Sequence, residues 1–310
     1  MAHDVSIILS TYSSNRFIEN YYNNITELIK VANIQLIHVA NDPTVKELYF
    51  KNKFLKLQQD ESIENFQYKF LIVSRESLYT SWNRALKLAD SKIIAISNVD
   101  DIRYATGFRI QISEFKKADK MFLVGGQLNL RTRNDLIIHK TKSQKIKKYD
   151  LLAGMYVGPF FMWTNPMYFG EDHIYFDEQL YVAGDFDFQI RFATIGKIKI
   201  LDEILGEYFS DDSGLSTGSI LQSIEGQLIY QRYNVIDKKI FFFPFLFFKD
   251  RYYPHFFKID HTPHSLEEVC DKINFIRKKN GKRKKRFISY ILDFKTLIKM
   301  IIKKNILHRK

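Results

Sequence analysis

Residues 98–101 read Asn-Val-Asp-Asp and follow directly on the apolar run Ile93-Ile94-Ala95-Ile96 and Ser97. Two adjacent carboxylates repel, so a chain that places them where a buried strand ends needs positive charge beside them. Arg103 could supply it as a purely structural partner. The sharper expectation is a divalent cation: the hard oxygens of Asn98, Asp100 and Asp101 suit Mg²⁺ or Mn²⁺ bridged to phosphate. Asp42 stands in a similar place, after the run IQLIHVA at 34–40. A turn or helix-cap role is its ordinary alternative. A third acidic stretch, GDFD at 184–187, carries Asp185 and Asp187. Within a helix these two side chains point about 200° apart and cannot do the same job. An acidic residue there also suits the first turn of a helix, where the dipole favours negative charge.

These residues need elements to hold them. Residues 5–10 (VSIILS) read as a buried strand, followed by the polar turn TYSSNR and a helical stretch to about Lys30. IQLIHVA reads as a second strand, and a helix-like TVKELYFKNK follows Asn41-Asp42-Pro43. KFLIVS at 69–74 reads as a strand. In SLYTSWNRALKLA, Leu78, Trp82, Ala85, Leu86 and Ala89 share one helical face, which makes Trp82 a core residue. The strand at 92–97, a helix over about 104–118 and a strand at 121–130 complete the alternation. Strands alternating with helices, with polar residues collecting after the strand ends, predict an α/β domain with a mostly parallel sheet. In such sheets ligands bind at the carboxyl ends of the strands.

The totals fit one large domain with appendages: 310 residues, 45% hydrophobic and 26% charged. One cysteine, Cys270, excludes an internal disulfide framework and a cysteine-based zinc site, and points to a reducing compartment. The N-terminus lacks a basic, apolar leader pattern. No apolar run approaches the roughly 20 residues of a spanning helix. Net charge is +12, but residues 271–310 hold 15 Lys/Arg against two Asp/Glu, while the first 270 hold 32 against 33. The basic character belongs to the tail.

Four stretches in order resemble the family 2 glycosyltransferases over residues 4–215: VSIILSTYSSNR, IHVANDP, IAISNVDDIR and AGDFDFQIRFATIG. The resemblance implies a GT-A fold, a Rossmann-like mostly parallel sheet flanked by helices, that binds a nucleotide sugar. It implies that Thr11 and Tyr12 contact the base or ribose. Asp42 would accept from a ring N–H, as uracil offers, and Arg75 would approach the base or diphosphate, unless it pairs with Glu76 or Glu19. Asp100 would hold Mn²⁺ or Mg²⁺, with Asn98 or Asp101 orienting it. Asp185, at the family's acidic position, would be the general base, with Asp187 as the second candidate. Two positions depart from the pattern: Asn98 replaces the first Asp of Asp-x-Asp, and Gly184 stands where Glu is often seen. The implied reaction is an inverting, hexosyltransferase-like transfer from a UDP-sugar to a saccharide or lipid-linked saccharide.

Other features add less. Trp163 offers a ring for stacking on a sugar face, with a core role as its alternative. His173, His255, His261 and His264 match no zinc spacing. Asp211, Asp212 and Ser216 sit where a final active-site loop or a solvated loop is expected.

The tail divides from the rest. After an expected 1–215 catalytic domain come an aromatic-rich helical extension at 216–270, including IFFFPFLFFKDRYYPHFF, and a basic segment at 271–310. RKKNGKRKKR at 277–286 precedes a stretch in which Phe287, Ile291, Phe294, Ile298 and Ile301 form one apolar helical face. That describes an interfacial helix on an anionic membrane, and a protein peripheral to the inner, cytoplasmic face. Packing on the body or on a partner helix are its rivals. Nucleic acid is not an expected partner, because the body carries no nucleic-acid module. Two other functions remain open: a nucleotidyltransferase, which would release pyrophosphate, and a non-catalytic, basic-tailed binding protein with a degenerate site.

Overall fold

The computed structural model describes residues 3–116, 118, 121–132, 137–140, 157–210 and 220–233. The aromatic segment at 240–257, the basic tail, His255, His261, His264 and the loop with Asp211, Asp212 and Ser216 lie outside the described residues.

Strands β1 (Val5–Tyr12), β2 (Ile34–Asn41), β3 (Phe66–Val73) and β4 (Ile93–Ser97) form an all-parallel half-sheet in the order β3-β2-β1-β4. Val5 pairs with Ile34 on one side and Ile93 on the other. Buried on both faces, β2 and β4 are almost continuously apolar, as parallel strands covered by helices must be. Alternate residues feed two cores. On one face Ile8, Ile37, Val39, Ile94 and Ile96 meet Trp82 and Leu86 of α3 (Leu78–Leu86), Phe188 and Phe192 of α5 (Gly184–Ile195), and Leu228 and Ile229 of α6 (Ile220–Arg232). On the other, Val5, Ile7, Leu9 and Leu36 meet Tyr21 and Ile25 of α1 (Ile18–Leu28), Phe54 of α2 (Val45–Gln59), and Phe108 and Ile112 of α4 (Ala105–Phe115).

The second half of the sheet is mixed. It adds β5 (Ile102–Arg103), β6 (Phe122–Thr132), β7 (Ile137–Lys140), β8 (Met162–Thr164) and β9 (Lys197–Ser210). The nine strands run β3-β2-β1-β4-β8-β6-β9-β5, with β7 on β6. Here β8 is antiparallel to β4 and β6, and β5 to β9, whereas β6 and β9 are parallel. The α/β expectation holds, with its parallel character concentrated in the first four strands. Trp163 is fully buried among Phe161, Phe176 and Phe188, so it is core and not a platform for sugar. Trp82 is core as expected.

The chain leaves β1 toward β2 and β3 on one side, and β4 lies on the other. The crevice between the carboxyl ends of β1 and β4 is therefore the topological switch point where open α/β sheets take ligands.

Candidate functional site

At the ends of β1, β2 and β3 three residues meet. The Arg75 guanidinium carbon lies 4.2 Å from the Tyr12 ring centroid, and its Nη1 donates to the Tyr12 hydroxyl at 3.3 Å. The Arg75 backbone N–H donates to Asp42 Oδ2 at 3.2 Å. Asp42 occupies the left-handed region (φ 43°), which Asp tolerates better than most residues. Tyr12 and Asp42 are exposed. The other partners considered for Arg75 are engaged elsewhere: Glu76 pairs with Arg84 at 2.8 Å and Glu19 with Lys46 at 3.3 Å.

Thr11 sits beneath this rim. Its side chain is buried, with Oγ1 2.8 Å from His38 Nε2, and His38 Nδ1 lies 2.9 Å from the Tyr68 hydroxyl. Burial drives the His38 imidazole down to about 3, so it is neutral. Thr11 thus faces the interior, while its neighbour Tyr12 is exposed.

Two buried groups hold the loop after β1. Asn41 Nδ2 lies 3.2 Å from the Thr11 carbonyl and 3.1 Å from Ser81 Oγ, while its Oδ1 accepts the Glu76 N–H at 2.9 Å. Glu47 Oε1 accepts both the Ser14 hydroxyl (2.6 Å) and its backbone N–H (3.2 Å), and Oε2 accepts the Thr44 N–H (2.7 Å). Burial would raise the Glu47 carboxyl, but the bonds from Ser14 and Thr44 outweigh it and hold it below the ordinary range. Thr44 and Glu47 form a capping box on α2. That Thr-x-x-Glu spacing was visible in the sequence, and it supports the turn at Ser13 (φ 50°).

Across the switch point, the turn at 98–101 is built around Asp101. Asn98 Nδ2 donates to Asp101 Oδ2 and the Phe209 N–H to Oδ1, both at 2.9 Å. Asp101 is nearly buried, and burial followed by the Asp100 charge pushes its carboxyl up to about 8. Arg103 does not pair with these carboxylates: its Nη2 donates to the Ile96 carbonyl at 2.8 Å and Nη1 to the Phe160 carbonyl at 3.1 Å. It ties the end of β4 to the segment entering β8. Arg131, not anticipated from the sequence, donates to the Asp100 carbonyl at 2.7 Å. Arg131 and Arg16 both lie 5.0 Å from the Phe209 ring centroid, and Phe209 packs on Phe17 at 5.0 Å. These contacts join the 98–101 turn to the loop after β1.

Among the described residues no three His, Cys, Asp or Glu side chains converge as a metal cluster. A cation held at this turn would need phosphate to complete its ligands. Asn98 turns its amide nitrogen to Asp101, so its amide oxygen faces away from that carboxylate. It and the half-buried Asp100 carboxylate are the hard oxygens that would face such an ion. Mg²⁺ and related ions are commonly held by one or two carboxylates and completed by substrate phosphate and water. His173 is half-buried beside Tyr175, and burial lowers its imidazole.

The two acidic candidates on α5 have different surroundings. Asp187 is completely buried. Its Oδ2 pairs with Arg191 Nε at 2.7 Å, and its Oδ1 with Arg232 Nη1 at 3.0 Å and the Tyr233 hydroxyl at 2.7 Å. Burial opposes its charge, but Arg191 and Arg232 outweigh it and hold the carboxyl low. Asp185 is half-buried in the first turn, where its Oδ1 accepts the Phe186 N–H at 2.8 Å. A Cβ on Gly184 would stand 2.7 Å from Tyr79 ring carbons, which accounts for glycine at that position.

No protein-family model matches the sequence, and no curated protein is similar to it. Solved structures are similar in fold. S. aureus TarS 1–349 in complex with UDP-GlcNAc shares 15% identity at a TM-score of 0.57, over 95% of this chain and 77% of that one. The mannosyltransferase PcManGT from Pyrobaculum calidifontis, in complex with GDP-Man and Mn²⁺, shares 10% at a TM-score of 0.52, over 100% of this chain and 81% of that one. The chain has the GT-A fold.

Proposed function

We propose that this chain is a glycosyltransferase that moves a sugar from a nucleoside-diphosphate donor to a hydroxyl acceptor. The observation that carries the reading is the convergence of Tyr12, Arg75 and Asp42 on one side of the switch point, with the Asn98–Asp101 turn on the other. Its fold neighbours were solved with UDP-GlcNAc and with GDP-Man and Mn²⁺, which supports a donor of this class.

Tyr12 and Arg75 supply a face and a cation for the base, and Asp42 an acceptor for a ring N–H; this set favours uridine. Thr11 contributes from beneath, by setting where Tyr12 leaves the sheet. Asp100, with Asn98, would hold a divalent cation. That ion, when bound, neutralises the charge growing on the departing diphosphate. Asp101 keeps the turn in shape through Asn98 and Phe209. Asp185 takes the proton of the attacking hydroxyl, in a single inverting displacement. Asp187 is tied to two arginines and a tyrosine, so its part is to lock α5 to α6. The acceptor in this reading is a saccharide or lipid-linked saccharide, and the basic, amphipathic pattern of residues 277–303 supports a membrane-peripheral place. No helix among the described residues is long and apolar enough to cross a membrane.

The test is a screen of nucleotide sugars with Mn²⁺ or Mg²⁺, following release of nucleoside diphosphate. Release that is abolished in Asp100→Ala and Asp185→Asn supports the assignment. Pyrophosphate from a sugar phosphate and nucleoside triphosphate would establish the nucleotidyltransferase instead. Metal-independent nucleotide binding without turnover would favour the degenerate binding protein.

A further inference from the structure

The first turn of α5 lacks a local cap. Its N-cap residue is Ala183, whose side chain can accept nothing, yet four N–H groups at a helix start need acceptors. A distant residue supplies acceptors. Glu225 of α6, fully buried, takes the N–H of Tyr181 (Oε1, 2.8 Å) and those of Val182 and Ala183 (Oε2, 2.9 Å each). The Phe186 N–H goes to Asp185 Oδ1, and the Asp187 N–H opens the regular ladder on Ala183 at 3.1 Å.

The fit is close on the α3 side. Tyr79 is 1% exposed, and its ring lies against the Gly184 backbone and near Phe176 and Trp82. Tyr79 stands in the first turn of α3, just past Arg75. This ring contact joins the Arg75 rim to the start of α5. On the other side, Arg232 of α6 bridges Asp187 and Asp177, fixing α6 on the same helix end.

We propose that Glu225 is a positioning residue for Asp185: a carboxylate from α6 holds the backbone at 181–183, and so aims the Asp185 side chain at the acceptor. This rests on the reading of Asp185 as base. Glu225 acts through the main chain and not on substrate. Glu225→Ala removes the acceptor altogether. Glu225→Gln keeps the shape and removes the charge.

Two measurements on the full chain test it. Amide hydrogen exchange at 181–186 should quicken in both variants while protection in β1, β2 and β4 stays as in the wild type. With the nucleotide sugar that the wild type turns over fastest, kcat should fall at least about tenfold, because small misplacements of a reacting group are costly. The donor KM and UDP affinity should stay within about twofold. Unchanged exchange at 181–186, or unchanged kcat where Asp185→Asn is inactive, would overturn the positioning role. An active Asp185→Asn would instead remove the base assignment on which the proposal rests, while the exchange result still decides whether the clamp exists.

Discussion

Arg75 stacks on Tyr12, two residues 63 positions apart in sequence, with the guanidinium 4.2 Å from the ring centroid at the joint ends of β1 and β3. A ring and a planar cation so arranged offer a nucleobase a stacking surface, worth about 1–3 kcal/mol per base. Tyr12→Ala should therefore weaken UDP binding by about tenfold, one step of about 1.4 kcal/mol. Asp42→Ala should erase a preference for UDP over CDP, because cytosine lacks the ring N–H that Asp42 would accept. Competition binding with the two nucleotides checks both. Equal affinities in wild type and variants would remove these residues from the base site.

Asp185 and Asp187 should separate cleanly in their effects. Removing the Asp187 carboxylate leaves Arg191 buried without its paired carboxylate and Arg232 with Asp177 alone, a loss of about 3–5 kcal/mol. Asp187→Ala should thus unfold at much lower denaturant. Asp185→Asn should unfold like the wild type and lose turnover. The Asp187 carboxyl is held low in the fold, so its contribution is complete above the ordinary Asp range. It disappears only as pH drops through the depressed value. Denaturation curves and kinetics on the two variants decide; activity retained in Asp185→Asn would reverse the assignment.

His38 makes a second pH prediction, set by burial. Its imidazole is driven from 6.5 down to about 3, so in that window the unfolded chain binds a proton that the folded chain does not. Stability must therefore fall as pH drops from about 6.5 toward 3, with a slope from this group of at most roughly 1.4 kcal/mol per pH unit. His38→Gln, which can still meet Thr11 and Tyr68, should flatten that slope. Urea titrations at several pH values would show it. Parallel curves for the two proteins would mean that His38 is not the group responsible.

Much of this architecture could be read from residue order alone. The apolar runs at β1, β2 and β4 are buried on both faces, so their composition announces them, and Tyr12, Asp42, Arg75 and Asp100 stand where those strands and β3 end. Pairings of distant segments were not legible. The parallel β6–β9 ladder and the two-residue β5 depend on partners tens of residues away. Arg103 looked like a counter-ion for Asp101, but its position beneath β4 sends it to two carbonyls. Trp163 could not be told from a sugar platform until β8 placed it inside the sheet. The clamp from Glu225 had no local sign beyond a helix that starts on alanine.

The basic tail yields a prediction of its own. The full chain should float with vesicles rich in anionic lipid and not with zwitterionic ones, and added salt should release it, at about 1 kcal/mol per engaged Lys or Arg. Flotation insensitive to lipid charge or salt would refute an electrostatic anchor.

Calorimetry of UDP binding, with and without Mn²⁺, on the wild type and Asp100→Ala addresses the central claim most directly. If the oxygens at 98–100 bring a cation against a diphosphate, Mn²⁺ will tighten UDP binding to the wild type, and the gain will vanish in Asp100→Ala while the metal-free affinity remains. The same Mn²⁺ enhancement in both proteins, or none in the wild type, would contradict it.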